Sequence, residues 1–207
     1  MIIKDKDTNT EQAIIEAAER LFLEKGFALT STTEIAKEVG CNQALVHYYF
    51  RTKDKLFEAI FEKKIRMFVS AFIKKQEENL SFQEKLTIII ESHFEILKAN
   101  PKIPFLFFNE LTTNPKRLIA LKDKILKLPG SVYLHMEKEL QHEIKKGTIR
   151  PISAIDLLIS IFSLNVMLFI ASPIIKTIGA VSDEEFDKII ENRKKENVYI
   201  ILKSIEP

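Results

Sequence analysis

Around Gly40 the chain offers two short helical patterns with almost nothing between them, and no other stretch restricts the fold as much. Ser31-Thr32-Thr33-Glu34 is a capping box, a hydroxyl followed three residues later by a carboxylate, each able to satisfy a backbone N–H that a helix start leaves open. Ile35, Ala36 and Val39 follow at helical spacing. Gly40 ends the run, because glycine takes the left-handed dihedrals of a tight turn without a Cβ penalty. A second short helix is expected from about Gln43 to Phe50. A third begins near Lys53 or Asp54 and runs without Pro or Gly to about Glu78. Two short helices joined so tightly must cross at a steep angle. Ala36 and Ala44 are expected where they approach, with Ile35, Val39, Leu45 and Val46 filling the space between them and the helix before.

The remainder also reads as helix. Thr8-Asn9-Thr10-Glu11 is a capping box for a first helix that carries Ala13, Ile14, Ala17, Ala18, Leu21 and Phe22 and stops at Gly26. Beyond residue 80, helices are expected over about 82–98, from Phe105, and from Asn114-Pro115 to about Lys146 with an interruption near Pro129-Gly130. Two more follow, over 153–172 (closed by Pro173) and from the capping box Ser182-Asp183-Glu184-Glu185 to about 205. Glycine is scarce, 5 of 207 residues, and apolar residues make up 46%. The expected fold is all-α: a three-helix domain with its helix-turn-helix over residues 1–55, then about six longer helices over 56–207.

Charge narrows the function. The formal net charge is +2, and the first 55 residues hold eight Lys/Arg against nine Asp/Glu. A contact with nucleic acid must therefore come from placed donors and not from a basic field. On the second short helix, Asn42, Gln43, His47 and Tyr48 are left for the outer face. Asn and Gln suit base edges, Gln typically adenine. Thr32 and Thr33 bring hydroxyls to a helix N-terminus, Tyr48 and Tyr49 can donate to phosphate, and Lys53 puts a cation at the start of the next helix, a phosphate-anchoring arrangement.

The stretch Thr33-Glu34-Ile35-Ala36-Lys37-Glu38-Val39-Gly40 through Tyr49-Phe50-Arg51-Thr52-Lys53-Asp54-Lys55-Leu56-Phe57 resembles the signature of the TetR (tetracycline repressor) family of bacterial regulators. Ile35-Ala36, Gly40, Tyr49-Phe50, Lys53 and Leu56 fall where that pattern has them. The resemblance covers about residues 10–57. Cys41, Asn42 and His47 depart from it, and His47 stands where the family usually has a phosphate-contacting Tyr. The resemblance implies a repressor that binds palindromic double-stranded operator DNA as a homodimer through its last two helices, about 153–172 and 183–205. It also implies an effector pocket among the central helices. Phe68, Phe72, Phe94, Phe105, Phe108 and Tyr133 are candidates for its walls, and His93, Asn109 and His135 for its polar contacts. They would suit a small apolar or aromatic effector of unknown identity.

Other classes find less support. The 153–172 segment is strongly apolar, but Leu157–Ala171 is shorter than the ~20 residues a bilayer needs and carries Ser160, Ser163 and Asn165. Burial against a twofold mate explains it as well. There is no apolar leader at the N-terminus, and a single cysteine, Cys41, permits neither an internal disulfide nor a Cys-based zinc site, so a cytoplasmic protein is expected. His135 and His142 share a helix face without a carboxylate at metal spacing, so no metal and no cofactor are expected. No nucleophile elbow, Gly-rich phosphate loop or paired carboxylates suggest catalytic residues, which leaves an enzyme less favoured. A non-specific architectural DNA-binding protein is the other alternative.

Overall fold

The computed structural model describes the backbone of residues 2–73, 80–127 and 130–207, and side chains over 9–68, 70, 80–122 and 133–207. The described residues are all-α, with eleven helices and no strand. These are α1 (Ile2–Lys25), α2 (Thr32–Val39), α3 (Gln43–Phe50), α4 (Lys53–Ile73), α5 (Phe82–Ala99), α6 (Ile103–Thr113), α7 (Pro115–Lys127), α8 (Gly130–Lys146), α9 (Ala154–Ile170), α10 (Ser172–Gly179) and α11 (Asp183–Ser204). Residues 74–79, where α4 was expected to end, lie outside the described residues.

The start and stop signals explain most boundaries, with two corrections. Helix α1 reaches back to Ile2, so Thr8 lies inside it and is not its cap. Pro173 does close α9, but it also opens α10, which has a proline in its first turn. A proline lacks the N–H that no helical partner would have satisfied there, and its fixed φ already suits a helix, so a stop signal doubles as a start.

The chain forms two compact units, and they are a different partition from a division at residue 55. The first comprises residues 1–65 and 106–121, the second 66–105 and 122–207. Helices α4, α6 and α7 each contribute residues to both.

In the first unit Ile14, Ala18, Phe22, Ile35, Val46, Leu56, Phe57, Ile60 and Phe61 are almost fully buried. Phe107 joins them from α6, with its ring 4.6 Å from Phe61 and 6.0 Å from Phe57. In the second unit, Leu86 and Ile90 of α5 pack with Met136 and Leu140 of α8, Leu157 and Ile161 of α9 and Ile201 of α11. Phe94, Leu97, Val166, Phe169, Phe186 and Ile190 form a neighbouring cluster. Burying a Leu, Ile or Phe side chain contributes about 1.5–3 kcal/mol, so these interleaved stripes hold the helices together.

No single described helix is long and apolar enough to cross a bilayer. Helices α9 and α10 together pass on length and composition, but the pair is bent by 55°. Leu157, Ile161, Val166 and Phe169 of α9 are instead packed within the protein.

Candidate nucleic-acid interface

Helix α2 starts as its capping box dictates. Ser31 Oγ accepts from the Glu34 N–H at 3.1 Å, and the Glu34 carboxylate accepts from the Ser31 N–H at 3.4 Å. The helix ends at Gly40, in the left-handed region at φ 75°, where the Gly40 N–H reaches the Ala36 and Lys37 carbonyls. The Cys41 N–H also bonds the Ala36 carbonyl, at 2.9 Å. A side chain at position 40 would be strained in this conformation whatever the space around it. Asn42 then caps α3, its Oδ1 accepting from the Leu45 N–H at 2.8 Å. Asn42 is exposed as expected, but its side-chain oxygen is a helix cap before it is a base contact.

Helix α3 has two faces. Val46 and Phe50 are buried, at 1% and 7% exposure. Gln43, His47 and Tyr48 are exposed, Tyr48 at 74%, and Tyr49 is partly covered. Ala36 is buried where the helices approach, as expected, whereas Ala44 is exposed on the outer face. The exposed residues make one chain of contacts. Gln43 Nε2 donates to Thr32 Oγ1 at 2.9 Å and lies 3.2 Å from His47 Nε2. His47 Nδ1 lies 3.1 Å from the Arg51 carbonyl oxygen. Arg51 caps α3 with a positive φ of 56°. Thr33 is exposed beside them in the first turn of α2.

Lys53 is engaged differently from the expectation. Its ammonium donates to the carbonyls of Phe27 at 2.7 Å and Thr30 at 2.8 Å, with Ala28 at 3.4 Å. It also lies 4.2 Å from the Phe27 ring centroid. Burial lowers the Lys53 pKa from the ordinary lysine value, opposed by the charge of Asp54. The cation expected to anchor a phosphate thus clamps the turn before α2, whose carbonyls no helix satisfies. At the start of α4, Thr52 Oγ1 accepts from the Lys55 N–H at 3.2 Å.

Arg117 belongs to no motif that sequence reading singled out. It lies in the first turn of α7, 5% exposed, with its guanidinium 3.8 Å from the Phe27 ring centroid and 4.6 Å from that of Phe57. It donates to Asp54 Oδ1 at 2.6 Å and to the Glu110 carboxylate, while its Nε is buried without a hydrogen-bond partner. Two cations, Lys53 and Arg117, therefore share Phe27, balanced by Asp54 and Glu110.

In the second unit the structure brings together only part of the expected pocket. Phe68 stands edge-on to His93, with ring centroids 6.1 Å apart, and Phe162 stacks on the same imidazole at 6.3 Å. Phe94 belongs to the core, 5.3 Å from Phe169. Phe105 is exposed at 58% and Tyr133 at 38%. Exposed His135 is 3.7 Å from Glu139. Phe108 and Asn109 are exposed residues of the first unit, and the Phe72 side chain lies outside the described residues.

His93 heads a buried polar chain that sequence reading had not assembled. Asn165 Nδ2 donates to the Ile90 carbonyl at 3.0 Å and to His93 Nδ1 at 3.1 Å. Asn197 Nδ2 donates to the Leu164 carbonyl at 3.0 Å and to Asn165 Oδ1 at 2.9 Å. Both asparagines are 0% exposed, and Asn197 Oδ1 has no partner. Burial lowers the His93 pKa from 6.5 to about 4. No described group of His, Cys, Asp and Glu is arranged to hold a metal.

Capped short helices around a left-handed glycine, set on a helical core, define a helix-turn-helix protein. The family profile "Bacterial regulatory proteins, tetR family" matches residues 14–60, and "YsiA-like protein, C-terminal region" matches residues 61–160. The chain belongs to the TetR family of bacterial regulatory proteins. It is 26% identical over 114 residues to the "Fatty acid metabolism regulator protein" of Bacillus subtilis, covering 55% of this chain and 59% of that protein. It is 31% identical over 133 residues to the "Probable HTH-type transcriptional regulator YttP" of the same organism, covering 63% of this chain and 60% of the relative. The chain thus spans about three fifths of the length of these two relatives. The solved structure of the fatty acid degradation regulator FadR from Bacillus halodurans shares the fold, with a TM-score of 0.68 and 20% identity over 91% of this chain and 94% of that one.

Proposed function

We propose that the chain is a DNA-binding transcriptional regulator that represses by holding a palindromic operator as a homodimer and is released by a small apolar effector. The observation that carries this reading is the division of α3: Val46 and Phe50 anchor it in the core while Gln43, His47 and Tyr48 face outward beside Thr32 and Thr33. Such a helix can enter a major groove, with side chains for base edges and hydroxyls for phosphates. The near-neutral N-terminal region favours sequence-dependent over architectural binding, since electrostatics alone would not hold it on DNA. A repressor of this kind works in the cytoplasm with its DNA and needs no catalytic residues.

Pairing of two copies is supported by the face of α9 that the chain leaves open. Ile155, Ile159, Phe162 and Met167 are each more than half exposed there, as is Tyr199 on α11. Exposed apolar residues at helical spacing, as at Ile155, Ile159 and Phe162, are what a twofold mate covers. An effector with an acyl chain is supported by the name of the Bacillus subtilis relative and by the aromatic surroundings of His93. Such a ligand needs about 1.4 kcal/mol of preference for the non-DNA state to weaken operator binding tenfold.

Selection of bound duplexes from a random pool tests the reading directly. A palindromic consensus supports it, and recovery of random sequence overturns it. Sedimentation of wild type and Phe162→Glu reads the dimer: wild type should sediment as a dimer and the variant as a monomer. A C16 fatty acid added to the operator complex is expected to release it. If it does not, the acyl class of effector is wrong while DNA recognition stands.

A further inference from the structure

The orientation of the Gln43 amide is decided one turn further along α3. The Arg51 carbonyl oxygen can only accept a hydrogen bond, and His47 Nδ1 lies 3.1 Å from it. Neutral His47 must therefore carry its ring proton on Nδ1, which leaves a lone pair on Nε2. The amide atom 3.2 Å from that lone pair has to be a donor, so it is the Gln43 nitrogen. Its second N–H goes to Thr32 Oγ1 at 2.9 Å. Both donors of Gln43 are engaged by side chains of the same molecule, and on this exposed side chain the carbonyl oxygen is the group left for DNA.

We propose that Gln43 reads the operator as an acceptor only, selecting the exocyclic amine of adenine or cytosine, with Thr32 and His47 as its positioning residues. The proposal rests on α3 being the recognition helix. An unconstrained glutamine pairs with adenine through two bonds, accepting from N6 and donating to N7, and so rejects cytosine. A glutamine whose N–H groups are engaged cannot donate to N7. In the major groove adenine offers N6–H and cytosine N4–H, whereas guanine and thymine offer acceptors at the corresponding place. The base is then read as amino against keto, and adenine and cytosine are nearly equivalent. The Thr32 hydroxyl keeps its own proton free to donate, which suits a backbone phosphate at the N-terminus of α2.

Substituted bases test this with the full chain. Comparing the consensus selected by wild type with that selected by Gln43→Ala locates the position Gln43 reads. Affinity is then measured by fluorescence anisotropy with adenine, cytosine, 7-deazaadenine or the purine lacking the N6 amine at that position. Wild type should bind the first three within about threefold and the amine-free purine about tenfold more weakly. In His47→Ala the amide is free to turn, so 7-deazaadenine and cytosine should each fall about tenfold below adenine; Thr32→Val should shift them the same way. Loss of affinity on 7-deazaadenine in wild type, tolerance of the amine-free purine, or a preference for guanine or thymine would overturn the proposal. His47→Ala discriminating as wild type does would overturn its positioning role. No consensus at all would sink the recognition-helix reading itself, whereas a consensus indifferent to Gln43→Ala would sink only the acceptor assignment.

Discussion

His47 and His93 each lie against a side-chain amide, yet they are fixed in opposite tautomers. On the exposed face of α3, a carbonyl takes the His47 Nδ1 proton, and the imidazole accepts from Gln43 through Nε2. In the second unit Asn165, itself oriented by the Ile90 carbonyl, donates to His93 Nδ1, so that ring carries its proton on Nε2. In both cases a backbone carbonyl sets the direction: the His47 imidazole passes it to the Gln43 amide, whereas the Asn165 amide passes it to the His93 imidazole. What differs is solvent. Water can replace any bond that His47 loses, but nothing replaces those around His93, which is 4% exposed. The same pair of functional groups is therefore exchangeable with water in one place, as the proposed base reading requires, and a structural commitment in the other.

Buried charge gives the largest way to sharpen this contrast. Arg117→Ala leaves Glu110 without its guanidinium in a buried setting and should cost about 3–5 kcal/mol in urea unfolding. Glu110→Gln should cost less, because Asp54 still pairs with Arg117. Next comes acid. His93 titrates near 4 when folded and near 6.5 when unfolded, so the unfolded chain binds its proton first. Stability due to neutral His93 is complete above pH 6.5, declines as pH falls towards 4 and is then flat. The total loss is about 3 kcal/mol. Urea unfolding across that window should show the loss in wild type and a flatter limb in His93→Gln. Asn165→Ala takes the partner from one N–H of Asn197 and from the His93 Nδ1 lone pair together and should cost about 1–3 kcal/mol. His47→Ala, at the exposed end of the comparison, should change stability by no more than about 0.5 kcal/mol, while altering base preference. If His47→Ala destabilised the fold as much as Asn165→Ala, the distinction by burial would fail.

What could be read from the sequence was local. The α2–turn–α3 element declared itself because a capping box and a stopping glycine act within a few residues, whereas the cap that Asn42 provides for α3 emerged only from the structure. Helix α10 was missed because a proline after an apolar helix looks like an end, and only the packed structure shows that another turn follows. Asn165 was visible as a polar residue in an apolar run. Its partner Asn197 was not, since it sits in a helix whose other polar residues mask it. The aromatic residues assigned to a pocket share a composition but not a location: Phe94 went to the core and Phe105 to the surface. Lys53 and Arg117 show the same limit. Apart from Glu110, which is one helix away from Arg117, the carbonyls, rings and carboxylates they meet lie 23 to 90 positions away, and no spacing rule reaches that far.

The insertion of residues 106–121 into the first unit has a consequence for the order in which the protein is made. Its first 65 residues leave the ribosome with the α2–α3 pair complete in sequence, but Phe107, Glu110 and Arg117 follow only after all of α5. Until Leu121 has been synthesised, Phe57 and Phe61 lack the ring that packs on them and Asp54 lacks its guanidinium. The core behind α2 and α3 is thus completed only once residues 106–121 have been made, so a fragment ending at residue 65 should unfold at lower urea concentration than the same helices in the full chain.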